Sequence, residues 1–480
     1  MTSTGQSSEE YDVVVIGGGP AGENAAQYAV EGTGMTSAVI EHELLGGECS
    51  YWACIPSKAL LRPVAVADVT TDLTGVSTAQ VEPKELLARR AYWVTDYDDS
   101  GQVSWADGAG IAVLRGAGRL TGERTIRVTS EEGDRSVRAR RAVVIATGSA
   151  ATVPEMYADA LPWTSRDATG VVEVPDRLAV VGGGVVACEA AIWMAALGSQ
   201  VTLLVRGDRL LARTEPFAGD AVLTSLGRRG VTVRFGAEVS GVRRAEPVPS
   251  GVGRIHGGVV TLSTSVGEVE ADEVLLAIGR SPRLDDIGLG SVGLTPDDVT
   301  GGRMPDWLHA VGDASGGPPL THWGKHQARV VGARIAAGAA DEVAWEPDRE
   351  APVPQVVFTD PEVASVGLTE TEARTAGRDV VVSRVPSSAA AGTGLLRDHV
   401  EGESQLVVDV DTRLLVGATF VGPGAGELVH AATVAIVGGV PVHVLRHAVA
   451  SYPTASELWL RMLEDLPREL RTPPPEPGGA

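Results

Sequence analysis

A short apolar strand that runs directly into a glycine-rich turn and then a helix occurs twice in this chain of 480 residues. In the first copy, strand 11–16 leads into three glycines at GxGxxG spacing, and a second strand, 37–40, ends on Glu41. The glycines of this turn are Gly17, Gly19 and Gly22. Such glycines let a pyrophosphate approach the backbone at the helix N-terminus, and a terminal acid binds a ribose hydroxyl. The first copy therefore predicts a βαβ unit that binds a dinucleotide.

The second copy follows the same order, with strand 177–181, a turn and strand 200–205. Its residues at the fingerprint positions are Gly182, Gly184 and Ala187. This copy ends on Arg206 rather than on an acid. An acid would repel a 2′-phosphate whereas arginine pairs with one, so NADP(H) is favoured over NAD(H); an arginine in a solvated loop is the alternative. Two copies imply two bound dinucleotides, and Cys188 in the second helix is predicted to be a core residue.

The composition limits the cellular compartments in which the protein could work and the partners that it could bind. A formal net charge of −22 argues against nucleic acid and anionic membranes as partners. Three cysteines in a chain of this length do not form a secreted disulfide framework. The acidic N-terminus lacks the pattern of a signal peptide, and no apolar run approaches the roughly 18 residues of a membrane span. We therefore expect a soluble cytoplasmic protein, with no metal site.

Two of the cysteines, Cys49 and Cys54, stand five positions apart and are followed at once by Pro56 and Lys58. Five residues of regular helix rise about 7.5 Å, whereas the Cα atoms of a disulfide normally lie within roughly 7 Å. If the two cysteines pair, Cys49 must lie on irregular backbone and Cys54 near the N-terminal turn of a helix, where Pro56 is tolerated. The helix N-terminus and a nearby cation both favour a thiolate. The spacing alone leaves two interpretations open, a redox pair or two unrelated buried cysteines.

Taken together and in this order, the motifs resemble the class I, flavin-dependent pyridine nucleotide–disulfide oxidoreductases. This family includes dihydrolipoamide dehydrogenase, glutathione reductase, mycothione reductase and mercuric reductase. The likeness extends over nearly the whole chain, through the two glycine turns and six further segments: 46–58, 146–148, 277–282, 310–313, 357–364 and 452–457. It implies an α/β fold with two Rossmann-like dinucleotide-binding domains and an α+β C-terminal dimerisation domain.

The resemblance also implies domain boundaries. Residues 1–150 and 283–350 would form the two parts of the FAD-binding and central domain, and residues 151–282 the NADP(H)-binding domain. Residues 351–468 would form the dimerisation domain, so that two chains make a homodimer with a shared active site. The Pro/Gly-rich tail, residues 469–480, is predicted to be disordered.

The resemblance assigns roles to the residues around the cysteines. Cys54 would be the thiol against the flavin and Cys49 the thiol that meets the substrate. Lys58 would sit beside the reactive ring, paired with Glu189. Electrons would pass from NADPH to FAD, on to the Cys49–Cys54 disulfide, and then to a small disulfide or thiol-reactive substrate. Further cofactor-binding positions are implied at Gly47, Gly118, Thr147, Gly148, Gly279, Asp313 and Thr321.

One position departs from the pattern of the disulfide-reducing members. Those members carry, just before Pro453, a histidine that moves protons and is oriented by a glutamate. This chain keeps the glutamate, Glu457, but has Tyr452 in place of the histidine. A tyrosine pKa of about 10, against about 6.5 for histidine, makes Tyr452 a poor base at neutral pH, and positioned acid–base catalysis is worth about 10²–10⁴-fold. His443 or His447 could substitute, although a solvated or capping role is the alternative for each.

The change at Tyr452 keeps two rival functions open. One is a quinone or diaphorase-type reductase, in which the flavin or the dithiol donates directly to a non-thiol acceptor. The other is the dihydrolipoamide dehydrogenase subunit of a 2-oxoacid dehydrogenase complex. That subunit would need NAD(H) and the missing histidine, so Arg206 and Tyr452 both argue against it.

Two aromatic residues between the cysteines, Tyr51 and Trp52, are a second departure from the pattern. Members of the family commonly carry small residues between the two cysteines. We expect the two rings either to reshape the substrate cleft or to pack under the flavin loop, and the sequence does not favour one of these over the other.

Overall fold

The computed structural model of the chain describes residues 9–340 and 351–474, and strands and helices alternate along it. The strands, in chain order, are β1 (Glu9–Ile16), β2 (Ser37–Glu41), β3 (Ile111–Arg115), β4 (Ala117–Gly122), β5 (Thr125–Ser130), β6 (Gly133–Ile145), β7 (Ser149–Ala151), β8 (Arg177–Val181), β9 (Gln200–Val205), β10 (Thr232–Phe235), β11 (Val239–Arg244), β12 (Val260–Thr264), β13 (Gly267–Ala271), β14 (Glu273–Leu276), β15 (Arg280–Pro282), β16 (Leu308–Ala310), β17 (Gln355–Val357), β18 (Val363–Gly367), β19 (Val380–Pro386), β20 (Glu403–Asp409) and β21 (Leu415–Val421).

The helices, in the same order, are α1 (Pro20–Val30), α2 (Gly47–Tyr51), α3 (Cys54–Thr71), α4 (Pro83–Trp93), α5 (Ser100–Gly108), α6 (Ser165–Thr169), α7 (Val185–Ala196), α8 (Pro216–Arg228), α9 (Pro296–Thr300), α10 (Thr321–Ala340), α11 (Glu370–Thr375), α12 (Ala391–Gly394), α13 (Ala425–Val437), α14 (Val442–Leu445), α15 (Glu457–Asp465) and α16 (Arg468–Arg471). Short 3₁₀ turns lie at Thr95–Tyr97, Glu155–Ala160, Leu289–Val292, Gly312–Ser315 and Ser387–Ala389.

The chain divides into two compact units, each assembled from three segments of sequence. The segments of the first unit are Met1–Pro56, Arg89–Thr152 and Gly279–Pro347. Those of the second unit are Ser57–Ala88, Val153–Ile278 and Asp348–Ala480. Each unit therefore brings together stretches that are far apart along the chain.

The first unit is built on a seven-stranded sheet in the order β3-β2-β1-β6-β5-β4, with β16 added beside β6. The pairings of β1 with β2 and β6, of β2 with β3 and of β6 with β16 are parallel, whereas β4, β5 and β6 are antiparallel. Parallel strands covered on both faces need nearly continuous apolar sequence, and Val13, Val14 and Val15 of β1 are fully buried. Helix α1 packs along α10. The first glycine turn consequently lies at the carboxyl end of β1.

The second unit contains a parallel sheet in the order β10-β9-β8-β14, an antiparallel sheet β11-β12-β13 and a five-stranded antiparallel sheet β17-β18-β21-β20-β19. Helix α13 packs on β18 and β21, and α15 packs on β19 and β20. The apolar face of α15 buries Leu458, Trp459, Met462 and Leu463. The second glycine turn follows β8, in the same place relative to its sheet as the first turn.

The predicted strands around the second glycine turn, 177–181 and 200–205, coincide with β8 and β9. Residues 469–471, which include the buried Leu470, belong to helix α16 and lie within the range 469–480, where the sequence predicts a disordered tail. Residues 475–480 of that range lie outside the described residues.

Among the described residues, none of the helices combines the length and the apolar character that a membrane crossing requires. The same residues contain no group of three or more His, Cys, Asp or Glu side chains arranged to hold a metal ion.

Candidate active site

The first glycine turn leaves room for a phosphate where the fingerprint requires it. Gly17 has φ +104°, and a Cβ there would lie 2.4 Å from the carbonyl oxygen of Ala146. A Cβ on Gly22 would lie 2.0 Å from the Gly17 oxygen, so helix and strand approach closely. A Cβ on Gly19 would meet nothing nearer than 4.0 Å. The tight turn, the open middle glycine and the close helix approach are the three features that let a pyrophosphate reach the helix N-terminus.

Glu41 ends β2 beside this turn and is buried. Its Oε2 accepts the N–H of Gly18 at 2.7 Å, and its Oε1 accepts the N–H of Glu43 at 2.8 Å. Burial by itself would raise the pKa of Glu41, but hydrogen bonds from His42, Glu43 and Gly18 outweigh it and hold the pKa below its usual value. The carboxylate is therefore ionised at neutral pH, as an acceptor for ribose hydroxyls needs to be. Turn and acid together fit FAD.

The second glycine turn has the same geometry. Gly182 has φ +131°, and a Cβ there would lie 2.4 Å from the carbonyl oxygen of Ala277. A Cβ on Gly184 would have no atom within 4 Å, and Ala187 is fully buried where the third glycine stands in the first turn. This turn also fits a dinucleotide. Cys188 is buried, and burial raises the pKa of its thiol to about 12, so its predicted role as a core residue is confirmed.

Arg206 follows the last residue of β9 and is exposed. Nearby Arg209 donates from Nη2 to the carbonyl oxygen of Ala212 at 2.6 Å, and Arg213 is exposed. Arg206 therefore follows the carboxyl end of its strand, at the position that the terminal acid occupies in the first copy, and its side chain is exposed.

The two cysteines of the motif lie on two successive helices. Cys49 is itself in α2, and the irregular backbone lies after it, at Trp52. Helix α2 begins after Gly46, at φ +107°, and ends at Trp52, where φ is −130° and ψ −3°. A Cβ on Gly47 would lie 2.7 Å from the Cα of Gly19, so this short helix starts against the first glycine turn. A break at the Trp52 cap, rather than a loop before a single helix, separates Cys49 from the next helix.

Cys54 is the first residue of α3, as predicted. Its Sγ lies 3.3 Å from the Oγ1 of Thr321, which is the first residue of α10. The first turns of two long helices therefore meet at this sulfur. Because the N-terminus of a helix carries partial positive charge, both helices favour a thiolate at Cys54.

In the second unit, Lys58 and Glu189 form the ion pair that the resemblance implied. Lys58 Nζ donates to Glu189 Oε2 at 2.9 Å, and the carboxylate is almost fully buried. The backbone N–H of Phe358 donates to Glu189 Oε1 at 2.9 Å, and the Phe358 ring lies 4.7 Å from Lys58 Nζ. Sequence reasoning missed this contact of Phe358. The only signal in the sequence was an aromatic residue inside segment 357–364. Aromatic residues also pack in the cores of many proteins, so this signal was weak.

Two other predicted cofactor residues of the first unit, Asp313 and Thr147, make hydrogen bonds with neighbouring residues. Ser149 donates its hydroxyl to Asp313 Oδ2, and Arg280 Nε donates to Ser149 Oγ at 2.7 Å. Thr147 Oγ1 donates to the carbonyl oxygen of Arg283 at 2.7 Å. The sequence did not single out Ser149, because a lone serine after a glycine carries no recognisable pattern.

The predicted glycines of the first unit differ in their surroundings. A Cβ on Gly148 would meet nothing within 4 Å, and one on Gly279 would meet nothing nearer than 4.0 Å, so both flank open space. A Cβ on Gly118 in β4 would lie 3.1 Å from the side chains of Ile16 and Ile40. The structure thus gives Gly118 a packing contact within the sheet.

The structure does not bring Tyr452 and Glu457 together. The Tyr452 side chain is 76% exposed, whereas Glu457, the first residue of α15, is only 5% exposed. Glu457 Oε1 lies 3.8 Å from Arg461 Nη2, and its buried Oε2 makes no hydrogen bond within the described residues. His443 Nδ1 is likewise buried and makes no hydrogen bond within the described residues, whereas His447 is exposed. Within a single chain, therefore, a buried carboxylate follows an exposed tyrosine by five residues.

Family models match nearly the whole chain. The model of the pyridine nucleotide-disulphide oxidoreductases matches residues 11–328, and the model of their dimerisation domain matches residues 353–463. The dihydrolipoyl dehydrogenase of Chlorobaculum tepidum is 33% identical over 459 residues, which cover 93% of this chain and 95% of that protein. The mercuric reductase of Staphylococcus aureus is 30% identical over 463 residues, which cover 93% of this chain and 81% of that enzyme.

Solved structures have the same fold. LpdA from Mycobacterium tuberculosis matches with a TM-score of 0.80 at 24% identity, covering 95% of this chain and 99% of that one. The HOCl-induced flavoprotein disulfide reductase RclA from Escherichia coli matches with a TM-score of 0.78 at 25% identity, with the same coverage of 95% and 99%. The predicted fold class and the prediction of an oxidoreductase that uses FAD and a pyridine nucleotide are both confirmed. The chain belongs to the pyridine nucleotide-disulphide oxidoreductase family.

Proposed function

We propose that this protein uses NADPH to reduce a small disulfide or another thiol-reactive substrate, through FAD and the Cys49–Cys54 pair. The observation that carries the proposal is the position of Cys54, the first residue of α3, with its Sγ 3.3 Å from the first residue of α10, Thr321. Two helix N-termini favour the thiolate that disulfide exchange needs. Cys188, by contrast, is fully buried, and its Sγ lies 3.8 Å from the carbonyl oxygen of Gly183.

In this proposal the first glycine turn holds the pyrophosphate of FAD and Glu41 binds its ribose. Asp313 and Thr321 contact the flavin half. The open space at Gly19 and the ionised Glu41 support these assignments. FAD, when bound, accepts a hydride from NADPH and passes on two electrons.

The chain itself carries out the thiol chemistry. Two electrons and two protons convert the Cys49–Cys54 disulfide into a dithiol. The Cys49 thiolate attacks one sulfur of the substrate disulfide, so that a mixed disulfide forms and half of the substrate leaves as a thiolate, which takes up a proton. The Cys54 thiolate then attacks Cys49, re-forms the disulfide and releases the second half. Lys58, which lies one turn after Cys54 on α3 and is held by Glu189, supplies positive charge.

A homodimer with a shared active site is part of the proposal. The match of residues 353–463 to the dimerisation domain supports it. In the same region several large apolar side chains are exposed: Val434, Val437, Val444 and Val449. Burial of such side chains is what an obligate dimer interface provides. The proposal also includes a cytoplasmic location. In the reducing cytoplasm, the enzyme's own turnover, and not an oxidising environment, would determine whether the two cysteines are oxidised or reduced.

Anaerobic titration of the FAD-loaded protein with NADPH tests the proposal. FAD and the disulfide each accept one electron pair, so the wild type is expected to take up two pairs per subunit and to form two titratable thiols. The Cys49→Ser variant is expected to take up one pair. If the wild type also takes up a single pair and forms no thiols, the Cys49–Cys54 pair is not the electron acceptor and the proposal is wrong.

The Arg206→Glu substitution tests the choice of nucleotide. A charge-assisted hydrogen bond between Arg206 and a 2′-phosphate is worth about 1.5–3 kcal/mol, so the ratio of kcat/KM for NADPH to that for NADH is expected to fall by about 10–100-fold. Steady-state rates with each nucleotide measure it. Arg243→Glu, the same charge change at an exposed position of β11 in the same unit, is the matched control and should leave the ratio unchanged. An unchanged ratio in Arg206→Glu would show that Arg206 does not select the nucleotide, and a wild-type ratio below one would mean that the enzyme prefers NAD(H).

A quinone or diaphorase-type reductase is the second candidate function. Tyr452 favours it, because a tyrosine is a poor base in the place of the histidine that the disulfide-reducing members carry. Retention of both cysteines and of Glu457 argues against it. A dihydrolipoamide dehydrogenase subunit is supported by the names of the relatives, but Arg206 and Tyr452 argue against it. Quinone reduction that persists fully in Cys49→Ser, with no disulfide reduced by the wild type, would favour the quinone reductase.

A further inference from the structure

Trp52, between the two cysteines, is stacked on Tyr97. The ring centroids are 4.3 Å apart and the planes are inclined by 22°. Trp52 also closes α2, because its N–H donates to the carbonyl oxygen of Glu48 at 2.8 Å. The stack therefore holds the residue at which the backbone turns from the helix of Cys49 towards the helix of Cys54.

Tyr97 reaches this position through an unusual backbone turn. Thr95, Asp96 and Tyr97 have φ values of +50°, +49° and +63°, so three consecutive non-glycine residues are left-handed. Such residues lose free energy to the clash of Cβ with the following carbonyl oxygen, and runs of them are rare. Outliers of this kind persist where the surroundings hold them, and they concentrate at functional sites. Here the turn presents the ring of Tyr97 to Trp52.

Hydrogen bonds hold both the left-handed turn at 95–97 and α2, the helix that carries Cys49. Arg90 Nη1 donates to the Tyr97 hydroxyl at 3.3 Å, and Thr95 Oγ1 donates to the carbonyl oxygen of Asp98. At the start of α2, Arg283 Nη2 donates to Glu48 Oε1 at 3.1 Å. The segment that carries Cys49 is thus held at its start by Arg283 and at its end by Tyr97.

We propose that Tyr97 is a positioning residue that, through Trp52, restricts the segment 49–54 to conformations in which the two sulfurs can bond. The proposal rests on the proposed function, in which Cys49 and Cys54 form a redox couple. A restricted segment raises the effective concentration of one thiol at the other. The disulfide is then favoured over the dithiol, and its reduction, which consumes two electrons and two protons supplied through NADPH and FAD, becomes harder. Tyr97 thereby makes the reduced pair a stronger reductant for its substrate.

Equilibration of the FAD-loaded protein in glutathione redox buffers, followed by alkylation and mass analysis of the cysteines, tests this inference. In Tyr97→Leu the equilibrium is expected to shift about threefold to tenfold towards the dithiol, the range expected for loss of an aromatic pair. This corresponds to a rise in potential of about 15–30 mV for a two-electron couple. Tyr97→Phe keeps the ring and is expected to stay within about twofold of the wild type.

Two further variants test whether the shift comes from the contact between the two rings. Trp52→Leu removes the other ring and should give the same shift, and the double variant should add little to either, because both changes break one interaction. Asp96→Gly removes the left-handed strain but keeps Tyr97, so it should leave the equilibrium unchanged. FAD absorbance and thermal unfolding show whether each variant is folded.

The outcomes separate this inference from the proposed function. If the wild type forms no Cys49–Cys54 couple in any buffer, the proposed function fails. If the couple forms and both Tyr97→Leu and Trp52→Leu leave its equilibrium unchanged, the inference alone is wrong. Additive shifts in the double variant would also overturn it, since they would show that the two rings act independently.

Discussion

The Cys54→Ser variant is expected to lose NADPH-driven disulfide reduction by about 10³-fold or more, as enzymes do when the reactive nucleophile is removed. Serine cannot form a bond to the sulfur of Cys49, and its hydroxyl is not ionised at neutral pH. The helix N-termini that meet at position 54 would therefore have no thiolate to stabilise. Turnover of a simple aromatic disulfide measures the loss.

A second readout of the same variant does not depend on substrate. A thiolate lying against an oxidised flavin gives a long-wavelength absorbance on two-electron reduction, and Cys54→Ser should lack it while the wild type shows it. Cys188→Ala is the matched control, because Cys188 is buried in the core, and it should keep both activity and absorbance. Full disulfide turnover in Cys54→Ser would mean that the electrons reach the substrate without this pair.

The Tyr452→His variant is expected to reduce simple disulfides about 10–100-fold faster than the wild type. A histidine there would be available as a base at neutral pH, and positioned acid–base catalysis is worth about 10²–10⁴-fold. The lower value is expected because the site has not been shaped around a histidine. Glu457 is buried, and its Oε2 makes no hydrogen bond within the described residues, so this carboxylate could orient the new ring.

The pH profile identifies the cause of such a gain. An imidazole accepts a proton only when it is neutral, so kcat/KM of Tyr452→His should be high above its pKa, about 6.5 when unperturbed, and should fall as the pH drops below it. The wild type should lack this fall in kcat/KM at low pH. Tyr452→Phe controls for loss of the hydroxyl, and adding Glu457→Gln to Tyr452→His should remove most of the gain. An unchanged rate would show that position 452 is not where the missing base acts.

Much of the nucleotide-binding architecture could be predicted from local sequence. The strands at 177–181 and 200–205 coincide with β8 and β9, and both glycine turns have the positive φ at Gly17 and Gly182 that only glycine adopts without cost. A strand, a glycine turn and a helix are each specified by residues next to one another. Cys54 at the start of α3 was predictable for the same reason, because a proline two residues later costs least in the first turn of a helix.

The short helix at Cys49 could not be predicted from the sequence, and the reason is physical. Helix α2 has five residues, too few for a periodic pattern, and isolated helices of that length are unstable. It forms because Gly47 packs against Gly19 and because Glu48 binds Arg283, both of which are distant in sequence. No pattern around Cys49 could reveal those partners.

The two dinucleotide-binding units, the family and the candidate reactive groups could be predicted from local sequence, because each depends on residue types at short, regular spacing. Which of these groups meet depends on the three-dimensional fold. Cys54 and Thr321 are 267 residues apart, the Phe358 amide binds Glu189, and Tyr97 stacks on Trp52 through a left-handed turn of three non-glycine residues. Such contacts depend on the order of strands in a sheet and on the packing of helices, and residues that are far apart in the chain carry no local record of them.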